Sequence, residues 1–587
     1  MRLRGPPQPP PAAPTLNALL ARAAGRSCGV TFVDLREREE RLAWAEVRAR
    51  ARRAAAALAA AGVAPGDRVA LVLRTEPAFL DAFFGALLAG ATPVPLYPPV
   101  RLGRMDEYVA ATARMLEVSG ARLVVASGAT RHLLGEVVAR ARPALGCVEA
   151  ATLHLGEREL ERDASPDDLA LVQFSSGSTV APKAVALTHG AIAAQTAAFL
   201  AALATTDDDA LVSWLPLYHD MGLIGGLLGA MSQPGPAVLL APEHFLARPA
   251  LWLRAIARHR GTIAAAPNFA YAYAAARVRD DEVRGQDLSS WRVALDGAEP
   301  VSLEVMRRFA ARFGPLGFDA GALRPVYGLS EAALAVTFAP GGRPWAARRL
   351  DPVALAAKGA VEDGPREVAS VGAPVPGVEV EVRDRAGAAL PPRRLGRIFV
   401  RGPSLMKGYL GEPAATARAL LGGWLDTGDL GFTDGGELYV HGRAKDVVVV
   451  RGANHAPDEF EGALEGVPGL RPGCAVALGF DPDGAGEELL VLAERAGASD
   501  GAGADALLAE AARRAVLERT GVRAHTVAVL APGTLPRTSS GKMRRGEALR
   551  RFTAGALAAP ARVSALTMAK AFVRSAVGYA RARVEEG

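Results

Sequence analysis

The segment LVQFSSGSTVAPKAVALTHG, residues 171–190, places a loop of small hydroxyl-bearing residues between an apolar run and a lysine. The apolar run, residues 169–174, predicts a buried strand. A loop of small residues after a strand can wrap a polyphosphate, because backbone N–H groups then approach the phosphate oxygens closely. Lys183 adds positive charge, and the hydroxyl donors are Ser175, Ser176, Ser178 and Thr179. Since Ala184 follows the lysine, this is not a Walker loop. A plain linker before a helix is an equal alternative to a phosphate-binding loop.

Around this segment, Ala/Leu-rich helical stretches alternate with short apolar runs up to about residue 442. The runs VALVL at 69–73, LVVA at 123–126 and AVLL at 237–240 predict the buried strands of an α/β unit. A chain of 587 residues exceeds the size of one hydrophobic core, so at least two domains are expected. With 50% hydrophobic and 22% charged residues, the composition is that of a folded protein.

The alternation of helical stretches and short apolar runs changes after RAKDVVVVRG, residues 443–452. This change predicts a second, smaller unit of about one hundred residues. The predicted organisation is a flexible Pro-rich tail at 1–15, a large domain at 16–442, a hinge at 443–446, a small domain at 447–550 and a tail at 551–587. Within that tail, residues 563–584 predict a basic amphipathic helix. Packing on its own domain is favoured over docking on a membrane or a partner.

Charge and cysteine usage exclude several classes of function. Lys and Arg outnumber Asp and Glu, 68 to 62, without long basic blocks, which argues against nucleic-acid binding. Three widely spaced cysteines, Cys28, Cys147 and Cys474, form neither a disulfide framework nor a zinc motif. The N-terminus has prolines where a signal peptide would be apolar, and no uncharged apolar run has transmembrane length. We expect a soluble, cytoplasmic protein.

Further segments follow the loop in a fixed order. They are DGAEP at 296–300, YGLSE at 327–331, WLDTGDLG at 424–431, GRAKD at 442–446 and PRTSSGKMRR at 536–545. Together with SSGSTVAPK at 175–183, they make the chain resemble the adenylate-forming enzymes, the group of acyl-CoA ligases, fatty acyl-AMP ligases and peptide-synthetase adenylation domains. The resemblance covers residues 16–550. It implies an α/β fold, with a large N-terminal domain of mixed sheets and helices and a small mobile α+β C-terminal domain.

The resemblance implies ATP and Mg²⁺, because a carboxylate must attack the α-phosphorus of ATP against the repulsion of two anions. Glu331 would hold Mg²⁺ on the phosphates, Tyr327 would stack on the adenine, and Asp429 would accept hydrogen bonds from the ribose hydroxyls with the help of Arg443. The implied nucleotide-binding residues are Ser175, Ser176, Gly177, Ser178, Thr179, Lys183, Gly297, Ala298, Glu299, Tyr327, Gly328, Ser330, Asp429 and Arg443.

Lys542, in the SSGK loop of the small domain, is the preferred catalytic residue. By resemblance it bridges the substrate carboxylate and the α-phosphate, where a fixed cation stabilises the transition state. A solvated surface lysine is the less favoured alternative. Lys445 and Asp446 lie between the two domains and are the expected hinge about which the small domain swings after adenylation.

Two segments depart from the pattern of the family. Val180 and Ala184 stand where the family has glycine, so close backbone approach or a positive φ is less available there. The family's Gly-Glu pair is Gly396-Arg397 in this chain. Slower pyrophosphate handling or loss of activity is therefore an alternative, although the retained charged residues favour an active enzyme.

Within the group, the likeness is to fatty acyl-AMP ligases. It is carried by PLYPPVRLGRMDEY at 95–108, SWLPLYHDMGLIGGLL at 213–228, PNFAYAYAAARV at 267–278 with LSSWRVALDGAEPV at 288–301, and RGANHAPDEFE at 451–461. Residues 343–374 resemble a segment that those ligases carry in addition, which is associated with exclusion of coenzyme A. The acceptor would then be the phosphopantetheine thiol of an acyl carrier protein, whose acidic surface suits a basic chain.

The resemblance also places His219 in the catalytic group, near the acyl carboxylate. A dyad or metal role for His219 with Asp220 is disfavoured, because no third ligand or nucleophile lies at diagnostic spacing. Residues 223–231 predict either the wall of an acyl tunnel or an ordinary core helix. The expected acyl pocket consists of Trp214, Met221, Gly222, Gly225, Asn268 and Phe269.

The leading hypothesis is thus ATP-dependent activation of a fatty acid to an acyl-adenylate, followed by transfer to an acyl carrier protein. A long-chain fatty acyl-CoA ligase is the second hypothesis. From another class, a non-catalytic protein that binds a nucleotide or an acyl-adenylate is suggested by Val180 and Ala184.

Overall fold

The computed structural model describes residues 1–99, 102–175, 182–233, 235–342, 344–450, 453–482, 486–497, 502–538, 542–560 and 565–584. These residues form a large N-terminal lobe and a small C-terminal lobe. Part of the predicted phosphate loop, Ser176, Gly177, Ser178, Thr179 and Val180, lies outside the described residues.

The largest sheet of the described chain supplies the floor of the large lobe, and its central strands are parallel. Its short Val-, Ile- and Ala-rich strands are buried, as expected when helices cover both faces of a parallel sheet. In spatial order its strands are Ala373–Pro374, Ala335–Phe338, Leu323–Gly328, Val293–Asp296, Ile263–Ala266, Leu211–Ser213, Ala237–Leu240, Gly29–Val33 and Glu39–Ala43.

Four smaller sheets complete the large lobe of the described residues. A parallel sheet contains Thr92–Leu96, Arg68–Val72, Leu123–Ala126 and Cys147–Glu149. Antiparallel strands Gly408–Tyr409, Ala184–Thr188 and Leu169–Phe174 flank the phosphate loop. A third sheet contains Arg2–Arg4, Glu379–Arg383, Gly396–Arg401, Trp424–Asp434, Leu420–Leu421 and Glu437–Arg443. Ala347–Leu350 pairs with Arg366–Ala369 in the segment predicted as the additional one.

Helices cover these sheets through amphipathic faces. Leu303–Phe313 is typical, because the Ser302 hydroxyl caps its first turn and it buries Met306, Phe309 and Phe313. The other α-helices of the large lobe are Leu16–Ala24, Trp44–Ala60, Pro77–Leu88, Met105–Ser119, Gly128–Arg131, Gly135–Ala141, His189–Ala202, Gly229–Ser232, Pro242–Ala247, Ala250–Arg258, Asn268–Arg277, Asp280–Val283, Pro352–Lys358 and Pro413–Ala419. Met221–Leu228 is a π-helix. Over the described ranges, helices long and apolar enough to cross a lipid bilayer are absent.

The small lobe has its own core. Antiparallel Leu470–Phe480 and Glu488–Arg495, with Thr526–Leu530 parallel to the latter, pack against helices Pro457–Ala463, Ala502–Thr520 and Arg545–Thr553. Strands Val448–Val450 and Ala453–His455 lead into it. The large lobe's buried cluster reaches Val440 and the small lobe's begins at Val448, so the predicted hinge residues lie between two cores.

The N-terminus differs from the predicted flexible tail. Arg2–Arg4 is an edge strand that pairs with Glu379–Arg383. Leu3, the middle residue of this strand, is buried. Gln8 donates a hydrogen bond to the Ala194 carbonyl, 3.0 Å away. Proline-rich composition suggested disorder, but a strand edge far along the chain supplies the hydrogen-bond partners that the segment lacks locally.

The C-terminal helix, Ala565–Val584, is present as predicted but packs on the large lobe, against Gly135–Ala141. Two glycines permit the contact, since a Cβ on Gly578 would lie 2.4 Å from the Gly135 carbonyl carbon. The Gly135 amide donates to the Ser575 hydroxyl at 2.8 Å, and Arg574 pairs with Asp106 at 2.8 Å. The helix thus packs within this chain, on the large lobe and not on the small domain that precedes it, because Gly135 and Gly578 allow the close approach.

Candidate active site

A cavity of about 2000 Å³ lies between the lobes and is lined by both. Its walls combine the segment after the phosphate loop, the ends of the central parallel strands and the lysine-bearing loop of the small lobe. Among the residues proposed from sequence, it is lined by Ser175, Lys183, Trp214, His219, Met221, Gly225, Asn268, Phe269, Ala298, Glu299, Tyr327, Gly328, Ser330, Glu331, Asp429, Arg443, Lys445, Asp446 and Lys542. Residues from distant motifs therefore face one space.

The base of the phosphate loop is a closed hairpin. The Ser175 amide donates to the Lys183 carbonyl at 2.9 Å, and the Lys183 amide donates to the Ser175 hydroxyl at 3.3 Å. Ala184 is fully buried in the following strand and is not among the residues with positive φ. Alanine therefore carries no backbone strain at this position, although the glycine of the family suggested that a positive φ is needed there.

Lys183 and Glu331 meet across one aromatic ring, that of Tyr409. The lysine Nζ lies 4.2 Å from the ring centroid, and the tyrosine hydroxyl donates to Glu331 Oε1 at 2.9 Å. Burial raises the pKa of Glu331, and the hydrogen bond from Tyr409 opposes that rise. Tyr409 was missed from sequence because both of its partners lie on distant segments, and no local spacing marks it.

Asp429 lies in a second cluster with Tyr327 and Arg443. The Tyr327 hydroxyl donates to Asp429 Oδ2 at 2.7 Å, and Arg443 Nε lies 3.3 Å from Oδ1. Asp429 and Arg443 are paired across neighbouring antiparallel strands, which fixes this contact. Burial raises the pKa of Asp429 while Arg443 lowers it. Both carboxylate oxygens are thus oriented by neighbours before any ligand binds.

Asp220 is a buried carboxylate at the centre of the site. Its Oδ1 lies 2.7 Å from His219 Nδ1 and accepts the Met221 amide at 2.7 Å, while the Ser330 hydroxyl donates to Oδ2. Burial alone would raise its pKa, but His219, Ser330 and the charge of Lys542 hold the pKa well below its usual range. Asp220 orients His219, and the Ser330 hydroxyl is committed to the protein.

Lys542 enters the cavity from the small lobe. Its amide donates to the Thr538 hydroxyl at 3.0 Å, and the Thr538 amide donates to the Lys542 carbonyl at 2.7 Å, which closes the loop at its base. Burial lowers the pKa of Lys542, whereas the carboxylates of Asp220, Glu299 and Asp429 raise it. The lobes are therefore arranged with this ammonium group among the carboxylates of the large lobe.

The DGAEP segment forms one wall with tight backbone packing. A Cβ on Gly297 would lie 2.6 Å from a Val326 side-chain carbon, and Ala298 adopts a φ of 69°. Glu299 Oε1 accepts the Phe269 amide at 2.6 Å, at the start of helix Asn268–Arg277. Burial raises the pKa of Glu299, and this amide opposes the rise. Gly297 itself is not among the lining residues.

The remainder of the cavity is an apolar branch along the π-helix Met221–Leu228. Leu223, Ile224 and Leu227 are fully buried in the core, whereas Gly225 and Gly226 face the cavity, followed by Gly229, Ala230 and Gln233. One helix thus serves as core on one side and as cavity wall on the other. Across the branch, Trp214 stacks on Phe245 with ring centroids 4.0 Å apart.

Two proposed pocket residues have other contacts. Gly222 does not line the cavity, and a Cβ there would lie 2.3 Å from the Pro216 carbonyl oxygen. Asn268 lines the cavity, and its side-chain amide donates to Asp296 Oδ2 at 2.7 Å. Gly222 is therefore required by backbone packing.

The residues between the lobes are anchored to the large lobe. The Ala444 amide donates to the Gly428 carbonyl at 3.0 Å, and burial lowers the pKa of Lys445. Arg397, which replaces the family's glutamate, forms an ion pair with Asp426 at 2.9 Å. Arg397 and Asp426 both line the cavity. The positive charge of the arginine is therefore compensated by a neighbouring carboxylate.

Ion pairs and hydrogen bonds hold the small lobe in this arrangement. Arg366, in the additional segment, lies 2.8 Å from Asp458 of the small lobe. Arg551 pairs with Glu107 at 2.8 Å, and Arg104 donates to the Gly533 carbonyl at 3.1 Å. Polar contacts of this kind exchange for water at a lower cost than the contacts of a hydrophobic core.

A two-lobed α/β chain whose small lobe inserts a half-buried lysine into a carboxylate-lined cavity has the architecture of an adenylate-forming enzyme. The chain belongs to the AMP-binding enzyme family, whose model matches residues 20–410.

Individual proteins similar to this chain carry more specific names. A putative acyl-CoA synthetase of Caulobacter vibrioides is 36% identical over 561 residues, covering 92% of this chain and 96% of that protein. The medium-chain-fatty-acid–[acyl-carrier-protein] ligase JamA of Moorena producens is 32% identical over 514 residues, covering 84% of this chain and 86% of that protein. A solved structure from studies of fatty acyl-adenylate ligases of E. coli and L. pneumophila is 34% identical, with a TM-score of 0.87, covering 92% of this chain and 98% of that one. The predicted fold class and the predicted resemblance are confirmed.

Replacing Asp220 with asparagine tests the central carboxylate. We expect Asp220→Asn to lower the free energy of unfolding by about 2 kcal/mol, because hydrogen bonds to a buried charge are weakened. A carboxyl whose pKa is held below 3.8 stabilises the fold at every pH above its unfolded value and loses that contribution only in acid. Urea denaturation should therefore give a difference that does not diminish between about pH 8 and about pH 5.

The matched control is Asp207→Asn, since Asp207 is an exposed partner of Arg26. Its unfolding free energy should change by less than about 1 kcal/mol. Equal destabilisation by the two variants, or an Asp220→Asn effect that fades between those pH values, would contradict this account.

Proposed function

We propose that the protein activates a fatty acid with ATP to an acyl-adenylate, releases pyrophosphate, and passes the acyl group to the phosphopantetheine thiol of an acyl carrier protein with release of AMP. The observation that carries the proposal is one cavity lined both by the apolar face of Met221–Leu228 and by charged side chains, with Lys542 and His219 among the lining residues. Such a cavity suits an acid with a long hydrocarbon tail and a nucleotide with a charged phosphate chain.

In the first step a carboxylate oxygen of the fatty acid attacks the α-phosphorus. A new P–O bond forms as the bond to the bridging oxygen of the β-phosphate breaks, and pyrophosphate leaves. Lys542 stabilises this step, because its ammonium group neutralises negative charge on both reactants. The charges of Asp220 and Glu299 raise the pKa of Lys542 against the effect of burial, which favours the charged form before substrate binds.

Nucleotide binding is assigned to the two charged clusters. Asp429 and Arg443 suit the ribose hydroxyls, with the Tyr327 ring beside them for the adenine. Lys183 suits the β- and γ-phosphates, next to the loop base at Ser175. Ser175 and Lys183 flank the loop residues 176–179, which complete the proposed phosphate site.

Glu331 suits Mg²⁺. Among the described residues, no group of three or more His, Cys, Asp or Glu side chains is arranged to hold a metal ion. A single carboxylate in a phosphate pocket fits Mg²⁺, which keeps most of its coordination for phosphate and water. The ion would offset phosphate charge, and Glu331 would hold it beside Lys183.

The acceptor is assigned from three features. Residues 343–374 carry the likeness to the segment associated with exclusion of coenzyme A, and Arg366 within them contacts the small lobe. The similarity to a fatty-acid–[acyl-carrier-protein] ligase points to the same acceptor. The chain's net charge of +6 suits an acidic carrier. After adenylation, rotation about Lys445 and Asp446 would withdraw Lys542 and admit the thiol.

An acyl-CoA ligase is the second candidate, because a similar protein is named a putative acyl-CoA synthetase. It shares the adenylation step and differs only in the thiol. The two candidates are therefore separated by the acceptor alone.

The adenylation step is tested by Lys542→Ala. We expect fatty-acid-dependent exchange of pyrophosphate into ATP to fall by about 10²- to 10³-fold, because the fixed cation is lost from the transition state. Lys358→Ala is the matched control, since Lys358 is 66% exposed in a surface pair, and it should exchange normally. Exchange retained in Lys542→Ala would refute the assigned role, and no exchange in the unmodified protein would favour the non-catalytic alternative.

The acceptor is tested with the unmodified protein, ATP and a fatty acid. We expect thioester on a holo acyl carrier protein, seen as a mass increase, at a rate at least about tenfold above that on coenzyme A. An apo carrier, which lacks the thiol, is the control. Faster formation of the coenzyme A thioester would replace this proposal with the acyl-CoA ligase.

The apolar branch is tested by Gly226→Leu. A Cβ at Gly226 has no atom closer than 3.8 Å, so the new side chain enters the cavity without a backbone clash. Each methylene kept out of the branch costs about 0.8 kcal/mol, so kcat/KM for palmitate should fall by more than about tenfold relative to hexanoate. Gly314→Leu, at an exposed glycine with open space, should leave the ratio unchanged. An unchanged ratio in Gly226→Leu would place the acyl chain elsewhere.

A further inference from the structure

Tyr409 is held by backbone hydrogen bonds to both segments that supply charge to the phosphate pocket. Its strand, Gly408–Tyr409, pairs with Ala184–Thr188, directly after Lys183. Three residues before the tyrosine, the Met406 amide donates to the Glu331 carbonyl at 2.8 Å. The backbone at Tyr409 is thus tied to the two segments that carry Lys183 and Glu331.

The side chain of Tyr409 lies between those two charges. It is only 9% exposed, its ring face meets the Lys183 ammonium group at 4.2 Å, and its hydroxyl donates to Glu331 at 2.9 Å. The Tyr409 amide also donates to the Thr416 hydroxyl at 2.9 Å, which fixes the start of the side chain. Burial raises the pKa of Tyr409 further above its ordinary value, so the hydroxyl remains a donor.

Opposite charges this near one another would be expected to pair directly. A Lys183–Glu331 ion pair would occupy the lysine and the carboxylate together, because each would satisfy the other in a pocket of low dielectric. Within the described residues these two side chains form no ion pair: the lysine lies on the face of the Tyr409 ring and the carboxylate at its hydroxyl edge. An aromatic face binds a cation and a phenol hydroxyl binds an anion, so tyrosine can hold both groups without neutralising either.

We propose that Tyr409 is a positioning residue that keeps Lys183 and Glu331 apart, so that the lysine stays available to phosphate oxygens and the carboxylate to Mg²⁺. This inference rests on the proposed function, because it assigns the pocket to the phosphates of ATP. It separates two contributions of one side chain: the ring acts as a spacer under Lys183, and the hydroxyl orients Glu331.

The two contributions predict different effects on ATP affinity. Tyr409→Phe keeps the spacer and loses the hydroxyl, so the ATP dissociation constant should rise about tenfold with Mg²⁺ and stay unchanged in EDTA. Tyr409→Leu loses both, so Lys183 can pair with Glu331, and the dissociation constant in EDTA should rise at least about threefold. Titration calorimetry without fatty acid measures these constants in the absence of turnover.

A double variant distinguishes a spacer from a general structural role. In Tyr409→Leu with Glu331→Gln the ion pair cannot form, so Lys183 is released and ATP affinity in EDTA should recover to within about twofold of the unmodified protein. Damage to the fold would instead persist in the double variant. Tyr439→Phe, which removes the hydroxyl of a buried tyrosine stacked on Phe432 elsewhere in the large lobe, is the matched control.

Normal ATP affinity of Tyr409→Leu in EDTA would overturn the inference, as would a double variant no better than Tyr409→Leu. The conservative Tyr409→Phe supplies an independent answer if the leucine variant is unstable, since a loss of affinity equal with and without Mg²⁺ would also overturn it. Failure of the unmodified protein to bind ATP in either condition would overturn the proposed function, and this inference with it.

Discussion

The repulsion between a carboxylate and a polyphosphate is the constraint on which the site depends. Bringing two anions together requires cations that are fixed before the reactants arrive, and burial makes each such charge costly unless a partner compensates for it. In this chain every buried charge of the site has a specific neighbour. Asp220 lies between His219 and Ser330, Asp429 lies between Tyr327 and Arg443, and Lys542 faces several carboxylates. The protein side of the cavity is therefore preorganised.

Under the proposed function, the same cavity also has to accept a hydrocarbon chain. One helix makes this possible, because one of its faces packs in the core and the other lines the cavity. Leucine and isoleucine on one side of Met221–Leu228 belong to the core, which holds the helix in place. Glycines on the other side leave room beside it. A side chain at Gly226 would take that room, and a side chain at Gly222 would collide with the Pro216 carbonyl. Neighbouring glycines of one motif thus have different physical roles.

Movement between the lobes is compatible with the kind of contact that joins them. Arg366, Arg551 and Arg104 hold the small lobe through ion pairs and carbonyl hydrogen bonds, which water can replace at modest cost. The C-terminal helix is joined to the large lobe by a different kind of contact. Its tight glycine contact with Gly135 and its buried Ser575 join the end of the chain to the large lobe. The chain beyond the small lobe is thereby anchored on the opposite side of the proposed hinge.

Local patterns in the chain were enough to predict the fold class, the family and the chemical types present at the site. Buried strands at 69–73, 123–126 and 237–240 were visible because local apolar runs decide strand burial, and the ordered motifs around Lys183, Glu331, Asp429 and Lys542 were visible because loop chemistry is local. The contact partners of these residues became known from the three-dimensional fold. The pairing of Arg2–Arg4, the docking of the C-terminal helix and the position of Tyr409 between Lys183 and Glu331 each join segments that are far apart in the chain. The amino-acid sequence shows which side chains are apolar and which are charged. Which of them come into contact depends on the path of the whole chain through space.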